Sequence, residues 1–410
     1  MNQASLATIS SELVRAQFPA LKNDFVYLEN AGGTQVPGCV IDAVSRFFRE
    51  ANVQTYSTYP ASREATRILH DAHDFINLLV NGNGVGQVAL GQSSTALLAM
   101  LADCIRRKYR SGGEIVVSVA NHEANISPWL RLRDEGFDVK FWGVDTVNGE
   151  SSLEELQKLL TDKTKVVAFA QTSNLLGENM PAREICDLAH SVGAIAVVDA
   201  VAYGGHSAVD AQAWDADFVA LSMYKIFSPH VGVLYGKTSA WLDLDGPNHS
   251  IVPKELGSYK FELGCQAYEL LNGTLALGDY FKFLAGEDQS KKPDRQTITG
   301  AYDQMHRLEK PVLDELGSFL YGRSDIRVVG PKHGDRHPTF SFVSPKHKSK
   351  DIVDQVNQTG IGIRSGNLYA YRLCEALGID VEDGVVRISA VHYNNLHDVA
   401  KVIDVLNKIL

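Results

Sequence analysis

Two charged residues stand where apolar runs end. Residues 218–221 (FVAL) lead through Ser222 and Tyr224 to Lys225, and a second apolar run, residues 231–235, follows after Pro229 and His230. A lysine at the turn between two buried strands is costly to place unless its amine is used. A solvated lysine titrates near ~10.4, and burial favours the neutral amine. The neutral amine is the form that makes a Schiff base with an aldehyde. Taken alone, Lys225 reads more readily as an exposed loop residue. Asp199 changes that. It closes residues 194–200 (AIAVVDA), a run apolar enough for a strand buried on both faces. The 26 residues from Asp199 to Lys225 suit strand, connection, strand. Both groups then sit at one sheet edge, the carboxyl edge where α/β sheets bind ligands.

Pyridoxal 5'-phosphate requires both groups: a lysine for its aldehyde and a carboxylate for its pyridinium nitrogen. A phosphate cradle is also present. Gly91, Gln92, Ser93 and Ser94 open a helix after a short strand, and free N–H groups, hydroxyls and the helix dipole favour an anion there. Either serine also serves as an ordinary N-cap. Residues 385–392 (VVRISAVH) read as an alternating strand bearing Arg387. A guanidinium fork binds a carboxylate bidentately and would orient an amino-acid substrate; an isolated arginine is more often a surface charge. NGNGVG, residues 81–86, does not match a dinucleotide fingerprint.

With Lys225 and its flanks, Asp199, NHEAN (121–125), TSNLLG (172–177) and RISAVHYN (387–394), the chain resembles the class V aminotransferase group of fold-type I pyridoxal-phosphate enzymes, on the cysteine desulfurase-like branch. The resemblance runs over roughly residues 10–410. It implies that Ser93, Ser94 and Ser222 contact phosphate, that His122 stacks on the pyridine ring and that Asn174 lies beside its phenolic oxygen. It implies that Arg387 binds the substrate carboxylate, with Asn30 and Ala31 of YLENAGG lining the site. It further implies a homodimer with a shared active site, in which Gly264, Cys265 and Gln266 reach the partner's phosphate.

The sequence also departs from the desulfurases. They place a histidine immediately before the lysine, where this chain has Tyr224, and a glutamine three residues after the aspartate, where it has Ala202. Their sulfur-accepting cysteine falls at Tyr369, in IRSGNLYAYRLC (363–374), and Cys374 lies five residues later. The Tyr–Lys pair, the Pro–His after it and the HYN ending are similar to a subgroup that includes a fungal decarboxylative aldolase of ustiloxin biosynthesis.

These groups need a scaffold. Strand and helix patterns alternate through the first two thirds of the chain, which predicts an α/β fold with a mostly parallel, seven-stranded sheet covered on both faces. The expected division is an N-terminal segment, 1–30, packing on the small domain and active site; a large cofactor-binding domain, 31–290; and a small C-terminal α+β domain, 291–410. Residues 9–18 read as a short helix with Leu13, Val14 and Phe18 on one side, and the polar stretch 286–296 is the expected hinge. A net charge of -10 makes nucleic acid an unsuitable partner. No run approaches the ~18 apolar residues needed to span a bilayer, and the start, MNQASLATIS, has no signal pattern. The five cysteines lack CxxC spacing, which fits reduced thiols in the cytoplasm and no metal site. His206 reads as structural. The expected function is a pyridoxal-phosphate lyase acting on an α-amino acid at a Cβ–S or Cβ–C bond. The alternatives are decarboxylative aldol-type bond formation, transamination, or a scaffold without turnover.

Overall fold

The computed structural model describes residues 9–410; the first eight residues of the expected N-terminal segment lie outside them. The strands, in chain order, are β1 (Val26–Tyr27), β2 (Gly86–Gly91), β3 (Gly113–Ser118), β4 (Phe137–Trp142), β5 (Thr164–Ala170), β6 (Ile195–Asp199), β7 (Phe218–Ser222), β8 (Gly232–Lys237), β9 (Arg327–Val329), β10 (Thr339–Val343), β11 (Ile361–Gly362), β12 (Arg364–Gly366) and β13 (Val385–Ser389). Seven form one sheet in the order β2-β8-β7-β6-β5-β3-β4. Only β8 runs against its neighbours.

The apolar runs explain this sheet. Its central strands, β5 to β8, are buried on both faces, as strands covered by helices must be, whereas the edge strands β2 and β4 each expose a residue. Val167, Phe169, Val198, Val219 and Leu221 enter the core on one face. Val166, Ala168, Val197, Phe218 and Ala220 enter the core on the other. β6 and β7 are adjacent and parallel, so Asp199 and Ser222 emerge at the same edge.

A four-stranded sheet, β12-β13-β10-β9, is antiparallel and backed by the helices Arg295–Gly322, Ser349–Asn357 and Leu396–Ile409. β1 pairs with β11, and Glu29 bridges to Ser389, so the segment before residue 31 joins this part of the molecule. The helix Arg295–Gly322 is shared. Ile298, Ala301, Tyr302 and Met305 pack into the large-sheet core, whereas Val312, Leu316 and Leu320 pack under the small sheet. The change between cores therefore falls inside this helix, beyond the expected boundary at 290/291. The stretch before it is tied down by Lys282, whose buried ammonium donates to the carbonyls of Gln289 and Lys291.

Two expectations need correction. The first helix is only Ser11–Arg15; Val14 and Phe18 are buried, but Leu13 is 58% exposed. Phe18 lies beyond the helix end, so helical spacing does not relate it to Leu13. β13 does not alternate either: all five residues are buried. It lies between β12 and β10; Val386 and Ile388 face the helices, while Arg387 is buried on the face turned toward residues 172–176.

Candidate active site

After Ser222 the chain makes one tight turn, Met223–Lys225, before β8 starts at Gly232. Lys225 is buried at this edge, and its ammonium is pulled down to about 8 by burial and Arg387, against the opposing pull of Asp199. Asp199 is buried at the end of β6, where Oδ1 accepts 2.9 Å from Val201 N. Burial raises its carboxyl above the ordinary value, with Val201 and Lys225 opposing. A buried carboxylate so placed calls for a cationic donor. Both residues line a cavity of about 50 Å³ with Ser94, His122, Asn174 and Ser222. That cavity adjoins a larger one of about 740 Å³, which Lys225 shares with Ala31, Tyr224, Arg364, Tyr369 and Arg387.

Ser94 Oγ lies 2.8 Å from Ser222 Oγ, at the N-terminus of the fifteen-residue helix Ser94–Lys108. Gly232 makes this approach possible, because a Cβ there would lie 2.2 Å from the Ser93 carbonyl carbon. Ser93 itself is the N-cap, accepting 3.1 Å from Ala96 N. Ser94, not Ser93, thus stands on the cavity wall. His122 is held by Ala124 N, which donates to Nδ1 at 3.0 Å. Burial, Lys225 and Arg387 push its imidazole down to about 4, so it is neutral.

Arg387 is 3% exposed. Its Nη1 donates 3.1 Å to the Asn174 carbonyl, and its Nε has no partner. Burial lowers it to about 10, with Arg364 acting in the same direction and Glu29 against. Asn174 donates 2.9 Å to the Leu368 carbonyl and leaves its own Oδ1 unpartnered in the buried site.

Several expected site residues are employed elsewhere. The Asn30 amide donates to Ser389 O and Asn394 Oδ1, and its oxygen accepts from the Tyr393 hydroxyl. These bonds make Asn30 a brace between the N-terminal segment and β13, although it still borders a small cavity with Lys225. Ala31 lines the large cavity, but its N–H is taken by Ser389 Oγ at 2.9 Å. Tyr369 is 67% exposed at the cavity rim, on left-handed backbone (φ 61°) that follows another such residue, Leu368 (φ 51°). Cys265 is exposed, 3.5 Å from Gln54 Oε1, and does not line either cavity. Cys374 is buried among Leu373, Ala370 and Leu377. His206 bonds Glu309 at 2.9 Å and stacks on His337. These three offer ligand atoms within 4.8 Å of one another, but rings only 10° from parallel cannot both turn a lone pair in plane toward one ion. Sequence reasoning missed Arg364, although it lies two residues before Gly366 in a segment already singled out.

Residues 26–402 match the family described as Aminotransferase class-V. The chain belongs to that family. It is 34% identical to the Aminotransferase-like protein FGM3 of Gibberella zeae, over 99% of this chain and all of that one. It is 28% identical to the Cysteine desulfurase-like protein ustD of Aspergillus flavus, over 98% of this chain and 91% of that one. The crystal structure of the cysteine desulfurase CsdA from Escherichia coli superposes with a TM-score of 0.82 at 25% identity, covering 98% of each chain. Family members depend on pyridoxal 5'-phosphate. The residues present fit that group: a depressed buried lysine, a buried carboxylate in need of a cationic donor, a neutral imidazole and paired hydroxyls at a helix N-terminus. Among the described residues no helix is long and apolar enough to cross a membrane.

Proposed function

We propose that this enzyme binds an α-amino acid at Arg387 and cleaves a Cβ–S or Cβ–C bond of it, as a pyridoxal-phosphate-dependent lyase. The observation that carries this is Arg387 itself, a buried guanidinium in the Lys225 cavity with a free Nε and no carboxylate partner among the described residues. A substrate carboxylate would complete it.

Ser94 and Ser222 would hold the phosphate, Asp199 the ring nitrogen and His122 the ring face. When bound, the cofactor supplies an electron sink for the pair released at Cα. Lys225, poised at about 8, takes the Cα proton and returns it. Arg387 fixes the carboxylate and so decides which bond at Cα faces that amine. The five free cysteines suit a reducing, cytosolic setting.

A persulfide route is disfavoured, because Tyr369 stands at the expected thiol position and Cys374 is buried away from the cavity. A second reading, decarboxylative carbon–carbon bond formation, is favoured by the 740 Å³ cavity, which has room for a second substrate. The test is an amino-acid panel followed by absorbance and by mass spectrometry of products. Ammonia and a keto acid from β-substituted amino acids support the lyase. A product longer than the amino acid supports the second reading. Transfer of the amino group with the skeleton intact makes the enzyme a transaminase, and no spectral change with any amino acid makes it a scaffold.

A further inference from the structure

The residue before Lys225 is held as firmly as the lysine. The Tyr224 ring stacks on His230, with centroids 4.6 Å apart and planes 8° from parallel. Gly33 also closes on it: a Cβ there would lie 3.2 Å from the ring's Cδ2. The Tyr224 carbonyl accepts from Thr34 N and from Thr34 Oγ1, each at 3.1 Å. Its ring borders both the large cavity and the inner one with Asp199. None of the side-chain hydrogen bonds among the described residues engages its hydroxyl. A pinned ring therefore offers a free O–H to the space that Lys225 and Arg387 also line.

We propose that Tyr224 is a catalytic residue, whose phenol protonates a poor leaving group on the substrate Cβ as the Cβ–S bond breaks. The inference rests on the lyase reading above. Lys225 takes the Cα proton, and the Cα–H pair becomes the Cα–Cβ π bond. The Cβ–S pair departs with sulfur, sulfur takes the phenolic proton, and water entering the open cavity reprotonates the phenolate.

Other groups on the wall serve less well. His122 is neutral, with Nδ1 already accepting from Ala124. Arg364 is paired with Glu29, and Arg387 is the group that would hold the substrate carboxylate. Tyr369 is an exposed rim residue: its backbone is held by Glu123 N and Asn367 Oδ1, but its ring stands largely in solvent, tilted 39° against His122 rather than stacked. Burial and the Asp199 carboxylate raise the Tyr224 phenol above its ordinary value, against Arg387, so it keeps its proton at neutral pH and can donate it.

The test compares two generic probes in wild type and Tyr224→Phe. Chloride leaves β-chloro-L-alanine without a proton, whereas S-methyl-L-cysteine must release a thiol. Loss of a general acid costs ~10²–10⁴-fold, so the ratio of chloro to S-methyl elimination rates should rise by about that factor in the variant. A merely structural defect slows both probes alike. Equal slowing would overturn the inference and leave the lyase reading standing, as would a ratio that rises in Tyr369→Phe instead. If wild type eliminates neither probe, both fall. A second readout needs no turnover. In protein labelled at tyrosine ¹³Cζ, the resonance missing from Tyr224→Phe should remain that of a neutral phenol up to pH 9. A phenolate at pH 8 would overturn the donor role.

Discussion

Arg364 and Arg387 stand directly opposite each other on the antiparallel strands β12 and β13. Like charges in that register are destabilising. Glu29 answers one of them, 2.8 Å from Arg364 Nη1, and leaves Arg387 with a carbonyl and an unused Nε. The pair therefore lacks one negative charge on the cavity side, which is where a substrate carboxylate would sit. Arg387→Ala should cost on the order of 2–5 kcal/mol of substrate binding, the range for removing one partner of a buried charged pair. The bound cofactor's absorbance should hardly change. An unchanged KM would make Arg387 structural and sink the binding model.

Lys225 yields two expectations. Borohydride reduction of the holoenzyme, followed by peptide mapping, should place the phosphopyridoxyl label on the peptide containing Lys225; label on another lysine would refute the assignment. The second concerns pH. Below pH 8 both folded and unfolded chains hold the lysine proton, and the folded state bears the full cost of a buried ammonium. Between about 8 and 10.5 the unfolded chain binds more proton, so this group makes stability rise with pH. In cofactor-free protein, Lys225→Met should be more stable than wild type at pH 7 by about 3 kcal/mol, the order set by a fall from 10.5 to about 8. The gap should shrink as pH approaches 10. Denaturant melts at several pH values would show it, and a gap that does not change with pH would contradict the burial argument.

The surface around Cys265 points to a second copy of the chain. Leu263, two residues before Cys265, is 55% exposed, and Tyr56 and Leu256, which line one surface cavity, are 70% and 48% exposed. A homodimer that covers it should sediment as twice the 44.9 kDa chain. Its Cys265 should alkylate more slowly as protein concentration rises. A fully active monomer with a freely reactive Cys265 would count against the shared site.

What could be read from the sequence follows chemical locality. Asp199 and Ser222 end apolar runs, and adjacent parallel strands must deliver such ends to one edge, so this half of the site was legible. Ser94 and its helix were legible for the same reason. The other half depends on distant pairings. Asn30 read as a cavity residue, yet Ser389, 359 positions away, consumes its amide. Arg364 drew no reading of its own, and only the β12–β13 register sets it opposite Arg387. β13 read as alternating because its buried polar face, Arg387 and Ser389, looks like a solvent face until residues 28–31 and 174 are brought over it. The split of the long helix between two cores has one local signal, Pro311 inside the helix, immediately before Val312, where packing under the small sheet begins.

The last expectation is chemical: this enzyme should not form a persulfide from L-cysteine. That reaction needs a thiolate able to reach sulfur on the bound substrate. Tyr369, the residue that the resemblance puts at the thiol position, lines the cavity, and a phenol cannot accept sulfur. Cys374 is near in sequence but sits on the short helix Tyr371–Ala376, buried against Leu373 and Leu377. Burial pushes its thiol up to about 11, which leaves on the order of one part in a thousand as thiolate at pH 8. Cys265 is accessible but lines neither cavity within its own chain. Incubation with L-cysteine, then alkylation and mass mapping of all five cysteines, should find no stoichiometric persulfide. Cys374→Ala should turn over as wild type does, because the removed thiol touches only apolar neighbours. A persulfide on Cys374, with turnover lost in that variant, would require its helix to unwind toward the cavity and would restore the desulfurase reaction.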